Sequence, residues 1–119
     1  MDISSKLQVK PGQTLAVVAR PADVPPLADA AANPAAAADQ ADAVIAFVRL
    51  AGELDTVAAP AVAAARAGRL SWIAYPKAGQ LGTDLNRDVL AGLLGARGVQ
   101  PVRQVAIDGT WSALRFRPA

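Results

Sequence analysis

Apolar positions along the chain fall into near-continuous runs, helix-spaced stripes and one alternating tail. Residues 14–20 (TLAVVAR), 42–50 (DAVIAFVRL) and 69–76 (RLSWIAYP) are short, unalternated apolar runs rich in branched residues, as in strands covered on both faces. Residues 52–68 (GELDTVAAPAVAAARAG) place Leu54, Val57, Ala61 and Ala65 at helical spacing, with Gly68 just beyond the end. Pro60 lies inside that pattern and predicts a kink or the start of a second short segment. After the third run, Thr83 is expected to cap a helix with Asp84 in its first turn, where a negative charge suits the helix dipole. Leu85, Val89, Leu90, Leu93 and Leu94 form its apolar stripe, and Gly98 then Pro101 close it. Residues 102–116 alternate polar with apolar around Asp108-Gly109, the dipeptide of a type I′ hairpin turn.

The remaining stretches carry weaker patterns. Residues 1–7 predict one helical turn, with Ile3 and Leu7 four apart and Asp2 as cap, and residues 10–13 (KPGQ) predict a turn. Residues 21–42 (PADVPPLADAAANPAAAADQAD) are low in complexity. They read either as a surface connection or as carrying a short helix over 26–32, ended by Asn33 and Pro34. The order strand, link, strand, helix, strand, helix, hairpin implies right-handed parallel crossovers. The expected fold is one α/β domain over residues 1–119: three layers, with a mostly parallel sheet of about five strands and a C-terminal antiparallel hairpin.

Composition narrows the chemistry more than the fold. The 119 residues include no Cys and no His, which removes disulfides, thiolate nucleophiles, imidazole ligands and a hydrolase triad. A general base would have to be a shifted Asp, Lys or Tyr, or the single Glu, Glu53. The net charge is only +2, and Lys and Arg are scattered without interleaved aromatics, so no nucleic-acid partner is expected. No apolar run approaches the roughly 18–20 residues of a membrane helix, and no export leader is visible. The expectation is a cytoplasmic protein with no membrane partner. Nine Arg against three Lys, with abundant Ala, is the coding signature of a GC-rich bacterial genome.

The ordered stretches DAVIAFVRL, AARAGRLSWIAYP, TDLNRDVLAGLLGARG and VRQVAIDGTWSALRF resemble the late half of class I methyltransferases, and VKPGQTLAVVAR resembles the lead-in to their first strand. VKPGQ, YPK, TDL and WSALRF together resemble a family of small uncharacterised bacterial proteins, a domain of unknown function. The resemblance implies a truncated Rossmann-like sheet whose final strand inserts between the third and fourth, leaving the fourth at an edge; Arg103 and Gln104 suit that position. It also implies a pocket for S-adenosylmethionine. The turn after the first strand, ARPADVPP, lacks the glycine such a pocket needs, and the alanine-rich link replaces whole strand–helix units, so no cofactor is expected.

In a parallel sheet, ligands bind beyond the carboxyl ends of the strands. Arg20, Arg49 and Lys77 follow the three strands, and Gly79, Gly82 and the amides of Thr83 and Asp84 adjoin a helix start. Arg20, Arg49, Lys77, Thr83 and Asp84 are therefore the candidate anion site; the alternative is that each cation is a solvated residue where a strand meets water. Tyr75 and Lys77, two apart, suit a phenol–amine pair, against simple core packing of Tyr75. Asp84 and Asp88 stand one helical turn apart, but Arg87 beside them argues for a solvated face rather than a metal site. Arg103, Arg115 and Arg117 suggest a basic stripe for a homodimer contact or an acidic partner. The favoured reading is a non-catalytic binding or interaction module for a small anion, with no catalytic residues assigned. The alternative is a minimal transferase-like enzyme using Lys77, Tyr75 or Asp84.

Overall fold

In the computed structural model, residues 7–10, 13–21, 24, 32–34, 41–77 and 79–119 are described. The strands are β1 (Gln13–Val18), β2 (Ala32–Pro34), β3 (Ala43–Phe47), β4 (Leu70–Pro76), β5 (Val99–Ala106) and β6 (Trp111–Pro118); the helices are α1 (Ala59–Arg66) and α2 (Arg87–Gly95). The expected turn over residues 1–7 and helix over 26–32 lie almost wholly outside the described residues. The turn at 10–13 closes through Gln13 N to Lys10 O at 3.0 Å.

The strands form one sheet in the order β2-β1-β3-β4-β6-β5. β2, β1, β3 and β4 pair in parallel, whereas β4–β6 and β6–β5 are antiparallel. This corrects the expected architecture: the sheet is mixed and six-stranded, and the described residues do not build the three layers of a Rossmann-like domain. Both helices lie on one face, where Ala61, Ala64 and Ala65 of α1 and Leu90 and Leu94 of α2 pack on Val44, Ala46, Ile73, Leu114 and Phe116. The other face, lined by Ile45, Phe47, Trp72 and Ala74, is covered by Leu7, Val9, Val24 and Ile107 from irregular segments.

Connection direction explains the one-sided arrangement. The crossovers β3–α1–β4 and β4–α2–β5 advance the same way across the sheet, and right-handed crossovers that advance the same way place their helices on the same face. A second helical layer needs connections running the opposite way. Among them only β1 to β2 does so, and its described part contributes Val24 to the far face. The C-terminal strand does lie between β4 and β5, with β5 at the edge. There Pro101 and Arg103 flank a break in register, the kind of position that tolerates a residue without a backbone N–H.

Local chemistry sets the helix ends. α1 begins with Pro60 in its first turn, so this proline starts the helix rather than kinking a longer one, after a 3-10 turn at Ala51–Glu53. It ends in a Schellman pair: Gly68 N donates to Ala65 O and Arg69 N to Ala64 O, with Gly68 at φ +77°. α2 is capped by Asn86, whose Oδ1 accepts from Val89 N at 2.9 Å, and not by Thr83. The Asp108-Gly109 turn also departs from expectation. Gly109 is absent from the positive-φ glycines, so no type I′ turn forms. Instead the Asp108 carboxylate accepts from Thr110 N (2.8 Å) and Trp111 N (2.7 Å), holding a wider loop by side chain rather than by backbone twist.

Candidate functional site

β4 alternates its side chains across the sheet, with Ile73 and Tyr75 toward the helices and Trp72 and Ala74 away. Tyr75 thus lies on the helix face at the strand's carboxyl end, opposite Ser112 of β6. Just beyond it, Lys77 is pinned on both sides of its peptide: its N–H donates to Thr110 O (2.7 Å) and its carbonyl accepts from Gln80 N (2.9 Å). α2 is anchored on the sheet by Leu90 and Leu94, while Arg87, Asp88 and Val89 of its first turn are exposed and leave a gap beside the strand end. The gap is a cleft of about 570 Å³ lined by Tyr75, Lys77, Gln104 and Ser112 on the sheet side and Asn86, Arg87, Asp88 and Val89 on the helix side.

The cleft is amphoteric but richer in donors. Lys77 and Arg87 bring two cations; Asp88 brings one carboxylate, 3.6 Å from Arg87 and well exposed. Gln104 Nε2 donates to the Tyr75 hydroxyl at 3.3 Å, which leaves the phenolic proton to be given to another acceptor. Burial pushes the Tyr75 phenol above its ordinary value; Arg87 pulls the other way and Asp88 adds to the rise. At neutral pH this group is a hydrogen-bond donor and not a base.

The shifted phenol is directly measurable, because Tyr75 is the only tyrosine. Phenolate absorbance in the near ultraviolet is expected to appear at higher pH in the folded protein than in urea. A group with a raised folded-state pKa stabilises fully below its unfolded pKa. Stability is therefore expected to fall as pH rises above the ordinary phenol range, where the unfolded chain ionises first. Coincident folded and unfolded titrations would contradict this placement.

The five residues expected to hold an anion divide into three places. Lys77 lines the cleft. Arg49, Thr83 and Asp84 meet at the junction of the loops after β3 and β4, where their groups knit backbone together. Thr83 Oγ1 donates to Arg49 O (2.5 Å) and accepts from Leu85 N (3.0 Å), and Asp84 Oδ1 accepts from Ala51 N (2.9 Å). The Thr83 amide donates to Gln80 O at 3.0 Å. Arg20 turns back on its own loop and donates to Val24 O and Pro21 O. Reading Thr83 as the cap hid Asn86 and, with it, the placement of Arg87 and Asp88 in the first turn. Before the helix the stretch TDLNRD offers three capping residues, Thr83, Asp84 and Asn86, and only the last is followed at once by the helix.

Among the described residues no cluster of three carboxylates is positioned to hold a metal, and no helix is long and apolar enough to cross a membrane. No protein-family model matches the chain, and no curated protein matches it.

Proposed function

We propose that the protein is a non-catalytic binding module that takes a small oxyanion-bearing ligand in the cleft between β4 and α2. The supporting observation is the convergence of Lys77, Arg87 and the protonated Tyr75 hydroxyl on one concave site beyond the carboxyl end of a parallel strand. Lys77 and Arg87 attract the anion, the phenol fixes one oxygen, and Val89 supplies an apolar wall. The arrangement favours binding over transferase-like acid–base chemistry. Of the three acid–base candidates, Tyr75 is held in its neutral form by burial and Asp84 is committed to the Ala51 amide outside the cleft, which leaves Lys77 without either as a partner group in acid–base work.

The test is thermal unfolding in the presence of simple anions, nucleotides and S-adenosylmethionine. A ligand at about 100 times its dissociation constant adds about 2.7 kcal/mol of stability, a rise of roughly 10 °C for a chain of this size. The rise is expected with a phosphate- or carboxylate-bearing compound and is expected to vanish in Lys77→Ala and Arg87→Ala. No shift with any compound, or a shift that survives both substitutions, would refute the cleft as the site.

A further inference from the structure

On the sheet face opposite the cleft, Arg103 of β5 stands directly across from Arg115 of β6. Arg117 follows two residues along the same side of β6, opposite Gln100. Trp72 of β4 pairs with Arg115 and fixes this as the face away from the helices. Like charges directly opposed across a strand pair are destabilising, so the arrangement costs the fold something. Its hydrogen bonds orient the guanidinium groups without offsetting their charge. Arg115 Nη1 donates to Gln8 Oε1 at 2.6 Å. With the Gln100 amide turned so that its oxygen faces β6, that oxygen accepts from Arg117 Nη2 and Nε at 3.0 Å. Both acceptors are neutral amides, and the buried Arg115 Nε has no hydrogen-bond partner among the described residues. The ion pairs among the described residues lie elsewhere, at Arg87–Asp88 and Arg97–Asp55. Among the described residues β5 is the terminal strand of the sheet, so Arg103 stands on its outermost strand.

We propose that this face docks an extended, carboxylate-rich segment of another protein laid alongside β5, with acidic residues two positions apart, one level with the Arg103–Arg115 pair and the next level with Arg117. The spacing matches because same-side residues of an extended chain recur every second position, as Arg115 and Arg117 do. Charge complementarity selects the occupant. A nucleic acid would also neutralise the arginines, but single strands are held by stacking on aromatic side chains. All five aromatic residues are buried here: Phe47, Trp72, Tyr75, Trp111 and Phe116 are each at most 4 % exposed. A second copy of the chain paired through β5 would bring a second set of arginines, unpaired with any carboxylate among the described residues, against the first.

The experiment uses the intact protein and a short fluorescein-labelled peptide alternating Glu with Thr, followed by anisotropy at low and physiological salt. Control ligands are the same peptide with Gln for Glu and an oligothymidylate of equal charge. The Glu peptide is expected to bind with an affinity that falls as salt rises, and the Gln peptide is not. The double variant Arg103→Gln with Arg117→Gln is expected to weaken binding at least about tenfold while keeping the wild-type circular dichroism spectrum. Arg103→Gln alone is expected to raise the melting temperature by a few degrees, because it removes the opposed charge. Each of the following would overturn the proposal: no binding of the Glu peptide at low salt, unchanged binding by the double variant, tighter binding of the oligothymidylate, or a concentration-dependent dimer abolished by Arg103→Gln.

Discussion

Trp72→Ala is expected to cost about 3–5 kcal/mol in urea unfolding, the range for removing a fully buried large aromatic side chain. Trp72 is 0 % exposed in the layer between the sheet and the irregular N-terminal cover. Domains of this kind have about 5–15 kcal/mol to lose, so the variant stands at the edge of folding. Two contributions can be separated. The indole ring fills space among Leu7, Leu15 and Ile45, and its Nε1–H donates to Leu7 O at 2.9 Å across 65 residues of sequence. Trp72→Phe keeps most of the filling and leaves that carbonyl without its donor. It is expected to cost about 1–3 kcal/mol and to speed amide exchange in residues 7–10 more than in β3 or β4. A Trp72→Ala variant within 1 kcal/mol of wild type, on the scale of an ordinary surface change, would mean that the non-helical face is not a real core layer.

That face shows what the sequence could and could not convey. The unalternated runs of β3 and β4 announced strands buried on both sides, and every residue of β3 is buried. They could not say what buries them. A helix would leave a periodic stripe to read, whereas Leu7, Val9, Val24 and Ile107 are isolated apolar residues in turns and loops. The sequence-based picture therefore placed helices on both sides, where the described structure has them on one. β2 was illegible for a related reason: Ala, Asn and Pro are poor strand formers, and their pairing with Gln13, Thr14 and Leu15 is imposed by the neighbour. The hairpin was legible as a hairpin, but its turn was not, because Asp108 bonds two amides with its side chain and frees Gly109 from left-handed geometry.

For the site, the strand-end rule pointed to the rim on which the cleft opens without distinguishing its cations. Of Arg20, Arg49 and Lys77, it is Lys77 that lines the cleft between β4 and α2. The Arg20 guanidinium is drawn into its own turn, and Arg49 sits in a loop laced by Glu53, Thr83 and Asp84. Such choices depend on which backbone groups the loops leave unpaired, information that no spacing rule carries. Gln104 and Ser112 reach the cleft only because β6 inserts beside β4, a long-range pairing.

The helix that forms the other wall gives the second large expected effect. Leu90 and Leu94 are the buried residues of α2, and Leu90 is 0 % exposed with its N–H on Asn86 O at 2.9 Å. Leu90→Ala is expected to cost about 2–5 kcal/mol. Its neighbour Val89 belongs to the same apolar stripe by spacing, yet it is 41 % exposed and faces the cleft, so Val89→Ala is expected to change stability by less than about 0.5 kcal/mol. The pair separates anchoring from lining. Leu90 holds the first turn against the sheet and, through it, Arg87. Its loss should raise amide exchange across residues 87–90 and shrink the anion-induced rise in melting temperature even where the protein is still folded. Val89→Ala should leave exchange unchanged while altering ligand affinity. If Leu90→Ala lowers stability yet leaves the ligand response intact, the position of Arg87 does not depend on that anchor, and the cleft's helix wall is held by the Asn86 cap alone.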